Sequence, residues 1–265
     1  MIRQTKGEKI FNIINTIILC ALVVIMVYPC LHVLFASLSD SSELMKSGGF
    51  LIYPKGFTLN AYLEVFKNQL IWSGYGNTIL NLVLALAFNI SLTTLGAYAL
   101  SRKELMIRRP IMLMIIFTMF FSGGLIPNYI LVRNLGMVDT RWALFIPTAI
   151  SAYNLIIMRT SFEAIPDTLI EAAKLDGASD ARIFFQVVLP MSKPILVYTI
   201  ISSFMIPWTD FVVAKMILNS GVSTDWTVAI GLFNMLQRTL INNYFALFCA
   251  GGVLVSVPIS ILFYP

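Results

Sequence analysis

Residues 163–193 hold the largest group of acidic side chains in a chain that is otherwise mostly apolar. Glu163, Asp167, Glu171, Asp176 and Asp180 fall within eighteen positions. Carboxylates gathered this way could do acid–base work, hold a metal or dock a basic partner. No paired acid–base or metal constellation accompanies them. Cys20, Cys30 and Cys249 lie inside apolar runs without a Cys-x-x-Cys pair, and His32 is the only histidine. That pattern reads as buried thiols rather than metal or disulfide chemistry. The chain also lacks a GxxxxGK(S/T) phosphate loop, an HExxH helix, a GxSxG elbow and the Rossmann glycine pattern. It supplies no evident catalytic machinery, so an ATP-driven reaction would need another subunit.

The local signals in this segment describe two short helices. Pro166 suits the first turn of a helix, where its missing N–H is harmless. Asp167 and Glu171 oppose the positive pole of the helix dipole, and Gly177 stands where a left-handed C-cap is needed. Leu169, Ala172, Ala173 and Asp176 fall at helical spacing, giving a face of small and apolar residues. Ser179 or Asp180 can cap a second helix, Ala181–Leu189, which Pro190 ends. A plain capped surface loop would look similar. Connecting two apolar runs does not require such an excursion, however, and docking to a partner explains it better.

Those apolar runs position the segment. The chain is 58% hydrophobic and 12% charged, with a mean hydropathy of +0.84. Soluble domains are about 45–50% apolar and about 25% charged. Six runs approach the ~20 residues that cross a ~30 Å hydrocarbon layer: residues 10–37, 77–100, 111–126, 142–158, 194–213 and 244–265. The third and fourth are the shortest, Pro147 interrupts the fourth, and Pro29 is expected to bend the outer end of the first. The first run is too long for a signal peptide and is not closed by a small-residue cleavage site. Orientation follows from the 18 Lys and Arg residues. Eleven fall on the side of the N-terminus and residues 163–193, and seven on the other. The basic excess puts both termini and the acidic segment in the cytoplasm. It also explains a pI near 9.1 better than a nucleic-acid stripe would.

Glu171-Ala172-Ala173, then Asp176-Gly177-Ala178, then Leu189-Pro190 resemble the EAA loop of permease subunits in bacterial binding-protein-dependent ABC importers. The similarity extends over nearly the whole chain and is closest to carbohydrate-import permeases. Residues 1–160, with Gly96-Ala97-Tyr98-Ala99-Leu100-Ser101-Arg102, look most like the branch handling complex or acidic oligosaccharides. Residues 163–263, with Ser192-Lys193-Pro194-Ile195-Leu196, look more like the maltose and maltodextrin branch.

The resemblance implies an all-α integral membrane protein of the type I ABC importer permease fold, a single transmembrane domain over residues 1–265. It implies six transmembrane helices and a cytoplasmic two-helix coupling segment at 163–193. A second, different permease subunit, an ABC ATPase dimer that uses ATP and Mg, and an extracellular or periplasmic solute-binding protein would complete the importer. No cofactor is expected in this chain. Glu171, Ala172, Ala173, Asp176, Gly177, Leu189 and Pro190 would carry ATPase coupling. Asn219, Ser220, Gly221 and Ser223 in the long outer loop would meet the binding protein. Asn89, Tyr153, Asn154, Trp208 and Asp210 are candidates for the sugar pathway, since polar groups at membrane depth tend to face a cavity. Each could instead be a helix–helix hydrogen-bonding group or an interfacial anchor. The family also leads one to expect a short cytoplasmic tail after Pro265. The competing class is an ATP-independent carrier or channel. It predicts ionisable residues inside several spans, whereas the charges here lie almost wholly outside them.

Overall fold

The computed structural model describes residues 6–46, 51–121, 123–210, 212–218, 227–234 and 245–263, and every regular element among them is helical. In chain order these are α1 (Lys6–Ser37), α2 (Ser41–Lys46), α3 (Asn60–Lys67), α4 (Gln69–Ser101), α5 (Arg108–Phe120), α6 (Leu125–Asn134) and α7 (Trp142–Phe145). They continue as α8 (Ala152–Glu163), α9 (Asp167–Leu175), α10 (Asp180–Met191), α11 (Lys193–Thr209), α12 (Val212–Ile217), α13 (228–234) and α14 (Phe245–Phe263). Two compact units result, one of residues 1–71 and 232–265 and the other of residues 72–231.

In the first unit α1 runs unbroken through Pro29 for 32 residues. Its apolar side chains from Ile10 to Met26 are exposed, as suits a surface whose solvent is lipid. α1 packs on α14 around Ala36, Leu44, Leu51, Ala246 and Cys249. Small residues at that seam let the two backbones approach, which is how helices associate where lipid is as apolar as leucine. The Ser37 and Tyr62 hydroxyls share a 2.8 Å hydrogen bond.

The second unit is built on α4, 33 residues or roughly 50 Å long. It extends beyond the expected 77–100 at its N-terminal end and is long and apolar enough to cross the hydrocarbon layer. Gly74 lets it approach the chain near α13: a Cβ there would lie 3.2 Å from the Val228 Cα. Thr78 Oγ1 accepts the Val228 N–H at 2.9 Å. Backbone cannot yield as a flexible side chain does, so Gly74→Ala should cost about 1–3 kcal/mol. A lowered midpoint of thermal unfolding in detergent checks it.

Three expected spans are not continuous helices. The run 111–126 is broken: α5 stops at Phe120, Phe121 is extended and Gly124 has φ +81°. α5 and α6 then meet at a bend of 119°. Gly124 tolerates the left-handed backbone that turns the chain there. The run 142–158 is helical only in α7 and from Ala152 onward. Pro147 cannot donate to a helical ladder, and the Ser151 hydroxyl restarts the helix by accepting the Asn154 N–H. Irregular backbone at membrane depth is tolerated where protein encloses it or where it lines a cavity. The fifth run, 194–213, is likewise α11 with Pro207 inside it, followed by a separate α12.

Candidate functional site

At one end of the second unit, α9 begins one residue later than the proline signal suggested. Pro166 is the N-cap, and its carbonyl accepts the Leu169 N–H. The other end closes as the sequence requires. Gly177 has φ +75°, its N–H donates to the Lys174 carbonyl, and the Ala178 N–H donates to the Ala173 carbonyl, both at 3.0 Å. These are the paired bonds of a Schellman turn. Ser179 then caps α10 through the Arg182 N–H.

α10 corrects the expectation that Pro190 ends the second helix. The helix widens into a π stretch at Phe184–Val188, continues through Pro190 to Met191, and meets α11 at 81°. A proline inside a helix loses one bond and crowds the carbonyl four residues back. A π turn immediately before it makes that room.

One face of α9 is anchored. Ile170 is buried and Ala173 half-buried against Met158, Phe162, Ile183 and Phe184. Of the two alanines expected to dock, only Ala172 is exposed, because Ala173 points into this core. Leu189 also packs on the core, whereas Glu171, Asp176, Gly177 and Pro190 are exposed. The outward face adds a residue that sequence reasoning missed: Leu175 is 89% exposed, and Leu169 earlier in the helix is also exposed. An apolar residue in the last turn before a C-cap glycine was the available signal.

Ion pairs hold α9 against the chain between α4 and α5. Lys103 Nζ lies 2.7 Å from Asp167 Oδ2, and Lys174 Nζ lies 3.6 Å from Glu104 Oε1. The hydrogen bond and charge of Lys103 hold the Asp167 carboxyl below the ordinary carboxylate range. That pair is therefore present at neutral pH and lost only as acid protonates Asp167. Such exposed pairs contribute little each. A less exposed node lies behind them, where Glu163 accepts from Arg159 and faces Arg108 at 3.5 Å. Arg159 Nε also donates to the Leu100 carbonyl at 3.1 Å. Among the described residues Glu171 has no ionic partner, so its carboxylate is available to a second protein.

Away from this end, two neighbouring cavities share Ala85, Phe145, Thr148 and Pro207 in their walls. The inner one, about 200 Å³, is lined by Asn89, Tyr153, Asn154, Tyr198, Ser202 and Ser203 among others. Ser203 Oγ donates to Asn89 Oδ1 at 2.9 Å, and Asn154 Nδ2 donates to Ser203 Oγ at 3.2 Å. Ser202 Oγ donates to Asn154 Oδ1 at 3.3 Å. This chain of amides and hydroxyls ties α4, α8 and α11 together. Three expected pathway residues therefore meet at one cavity, and the serines of α11 that complete it were missed.

Asp210 lines the outer cavity, about 140 Å³, with Asn81, Asn128, Tyr129 and Thr227. Trp208 lines neither cavity. It is 3% exposed, stacked on Phe204 at 5.4 Å and tilted against Tyr75 at 6.2 Å, so its ring is enclosed by aromatic neighbours. The broken backbone around Pro147, Thr148 and Ser151 lines these cavities too, which accounts for irregular structure at that depth. Asn219, Ser220, Gly221 and Ser223 lie outside the described residues.

Residues 104–264 match the family model of the binding-protein-dependent transport system inner membrane component. The chain belongs to that family. The polygalacturonan/rhamnogalacturonan transport system permease protein YtcP of Bacillus subtilis (strain 168) is 36% identical over 223 residues, covering 84% of this chain and 77% of the relative. The galactooligosaccharides transport system permease protein GanQ of the same organism is 31% identical over 271 residues, covering 99% and 94%. A solved chain of a bacterial ABC transporter involved in the import of the acidic polysaccharide alginate superposes with a TM-score of 0.90 at 27% identity, covering 99% of this chain and 97% of its own. The permease thus has the type I importer fold, helical in every regular element among the described residues, and its family is a membrane transport component.

Proposed function

We propose that this chain is one permease subunit of an ATP-driven importer that carries an oligosaccharide into the cell. It works beside a second, different permease subunit and receives cargo from an extracellular or periplasmic solute-binding protein. A separate ABC ATPase dimer binds ATP and Mg and drives the cycle, while this chain needs no cofactor of its own. Both termini and α9 face the cytoplasm, a placement supported by the bias of Lys and Arg toward that side. An oligosaccharide cargo is supported by the substrates in the names of similar permeases and by the amide- and hydroxyl-lined cavities.

The observation that carries the coupling role is the exposed face of α9. Glu171, Ala172 and Leu175 stand outward on a helix whose other face is fixed in the core and whose end is closed by Gly177. Closure of the ATPase dimer would move α9 and, through α10 and its 81° junction with α11, swing the pathway helices as a rigid body.

Leu175→Asp should release the ATPase during co-purification, because a charge would enter an apolar contact worth about 2 kcal/mol or more if it is central. Glu171→Ala should weaken association by less than about 1 kcal/mol, the usual worth of an exposed pair. Retention of the ATPase and normal transport by Leu175→Asp would overturn the coupling role.

A further inference from the structure

We propose that the short chain between α4 and α5, residues 102–107, is a stiff arm that carries movement of α9 to α4 and α5, with Glu163 as the positioning residue at its root. The inference rests on the coupling role given to α9 above. The inner cavity is walled by α4, α8 and α11. The backbone joins α9 directly to two of these, through residues 164–166 to α8 and through α10 to α11. α4 lies far earlier in the chain, so side chains must make its link.

The arm grips α9 at both ends. Lys103 pairs with Asp167 in its first turn and Glu104 with Lys174 in its last. Asp167 and Lys174 stand about two turns apart and so share one face. The two pairs have opposite polarity. A shift of α9 that brought Lys174 toward Lys103, or Asp167 toward Glu104, would set like charges together. The arm itself is not slack. The N–H groups of Arg102, Leu105 and Arg108 donate to the carbonyls of Ala99, Arg102 and Leu105 at 3.2–3.4 Å. Leu105 also packs against the cluster of Leu100, Met112 and Leu155.

At the root, Glu163 closes α8 shortly before α9 begins. It joins Arg159 and Arg108, and the three side chains are only 20–32% exposed. Arg108 is the first residue of α5, where a cation opposes the helix dipole, and the Glu163 carboxylate offsets it. Arg159 Nε takes the Leu100 carbonyl, in the last turn of α4 where helical partners run out. One carboxylate thus ties the end of α4 and the start of α5 to the end of α8. Ala97 and Tyr98 of α4 also pack on the core under α9. Apolar packing is non-directional and yields to sliding, whereas paired charges fix one setting.

The test reads α4 and α11 separately and needs no cargo. In a chain whose three cysteines are replaced by alanine, Ala85→Cys on α4 or Ser202→Cys on α11 is labelled with a maleimide. Labelling rates are compared in the purified importer complex with its binding protein, nucleotide-free and trapped with ATP and vanadate. Both positions should respond to ATP. Adding Lys103→Asp should shrink the response at position 85 about threefold, in keeping with an exposed pair. Adding Glu163→Gln should shrink it about fivefold, as a less exposed charged hydrogen bond is lost. The response at position 202 and the amount of ATPase co-purified should hold in both. Lys103→Asp combined with Asp167→Lys should restore position 85 to within about twofold. An unchanged response at position 85 in both variants would overturn the arm, and so would equal losses at 85 and 202, since α9 as a whole would then have failed. No response to ATP at either position before the arm is altered would instead sink the coupling role of α9, and the arm with it.

Discussion

Gly177→Trp is expected to cut coupling of transport to ATP hydrolysis by about 30-fold or more while leaving membrane insertion intact. A Cβ at Gly177 would meet nothing within 4 Å inside the protein. The residue is exposed at the end of α9, so added bulk is directed toward whatever docks there. Blocking the centre of a protein contact costs about 2 kcal/mol or more, which is the 30-fold figure. Backbone strain is the competing cause, since φ is +75° and a Cβ in that region costs roughly 1–2 kcal/mol. Gly177→Ala separates the two, carrying the strain without the bulk. ATPase stimulation by loaded binding protein in the reconstituted importer should fall severely for Trp and modestly for Ala. Normal stimulation with Trp would remove Gly177 from the contact.

The second large effect is expected from Asn154→Leu in the inner cavity. Leucine shares asparagine's branching, but it withdraws one hydrogen-bond partner each from Ser202 and Ser203. Interhelical hydrogen bonds in membranes contribute about 0.6–1.7 kcal/mol, so the variant should insert and fold with a modestly lowered thermal midpoint. Uptake should fall further than that loss of stability explains, by about tenfold, because the wall loses both a donor and an acceptor for hydroxyls. A double-mutant cycle with Ser203→Ala apportions the structural part. If uptake follows only the folded fraction, Asn154 is helix–helix glue and not pathway.

Much of the coupling segment is legible in the residues alone. Pro166, Gly177 and Ser179 announce α9 and the start of α10 because caps are local chemistry: a fixed φ, a left-handed φ and a hydroxyl within reach of the next N–H. The apolar runs are legible for a similar reason, since each must satisfy its own backbone in lipid. Sequence reaches less far where neighbours intervene. Pro147 announces a break in the run 142–158, but only the structure shows the irregular backbone there lying beside the cavities. Composition cannot report that.

The coupling motif shows the same division at the scale of single residues. Glu171-Ala172-Ala173 and Gly177 are determined by sequence as a helix with a small-residue face and a tight end, because helical spacing and backbone sterics act within a few residues. Only the tertiary structure decided which side of that helix is available. Ala173 turned inward onto Phe162 and Ile183, and Leu175 was left outward. Likewise, Asn89, Asn154 and Ser203 are isolated polar residues in the sequence, up to 114 positions apart. Burial in a medium without water requires each to find a partner, and only the packing of α4, α8 and α11 determines which one.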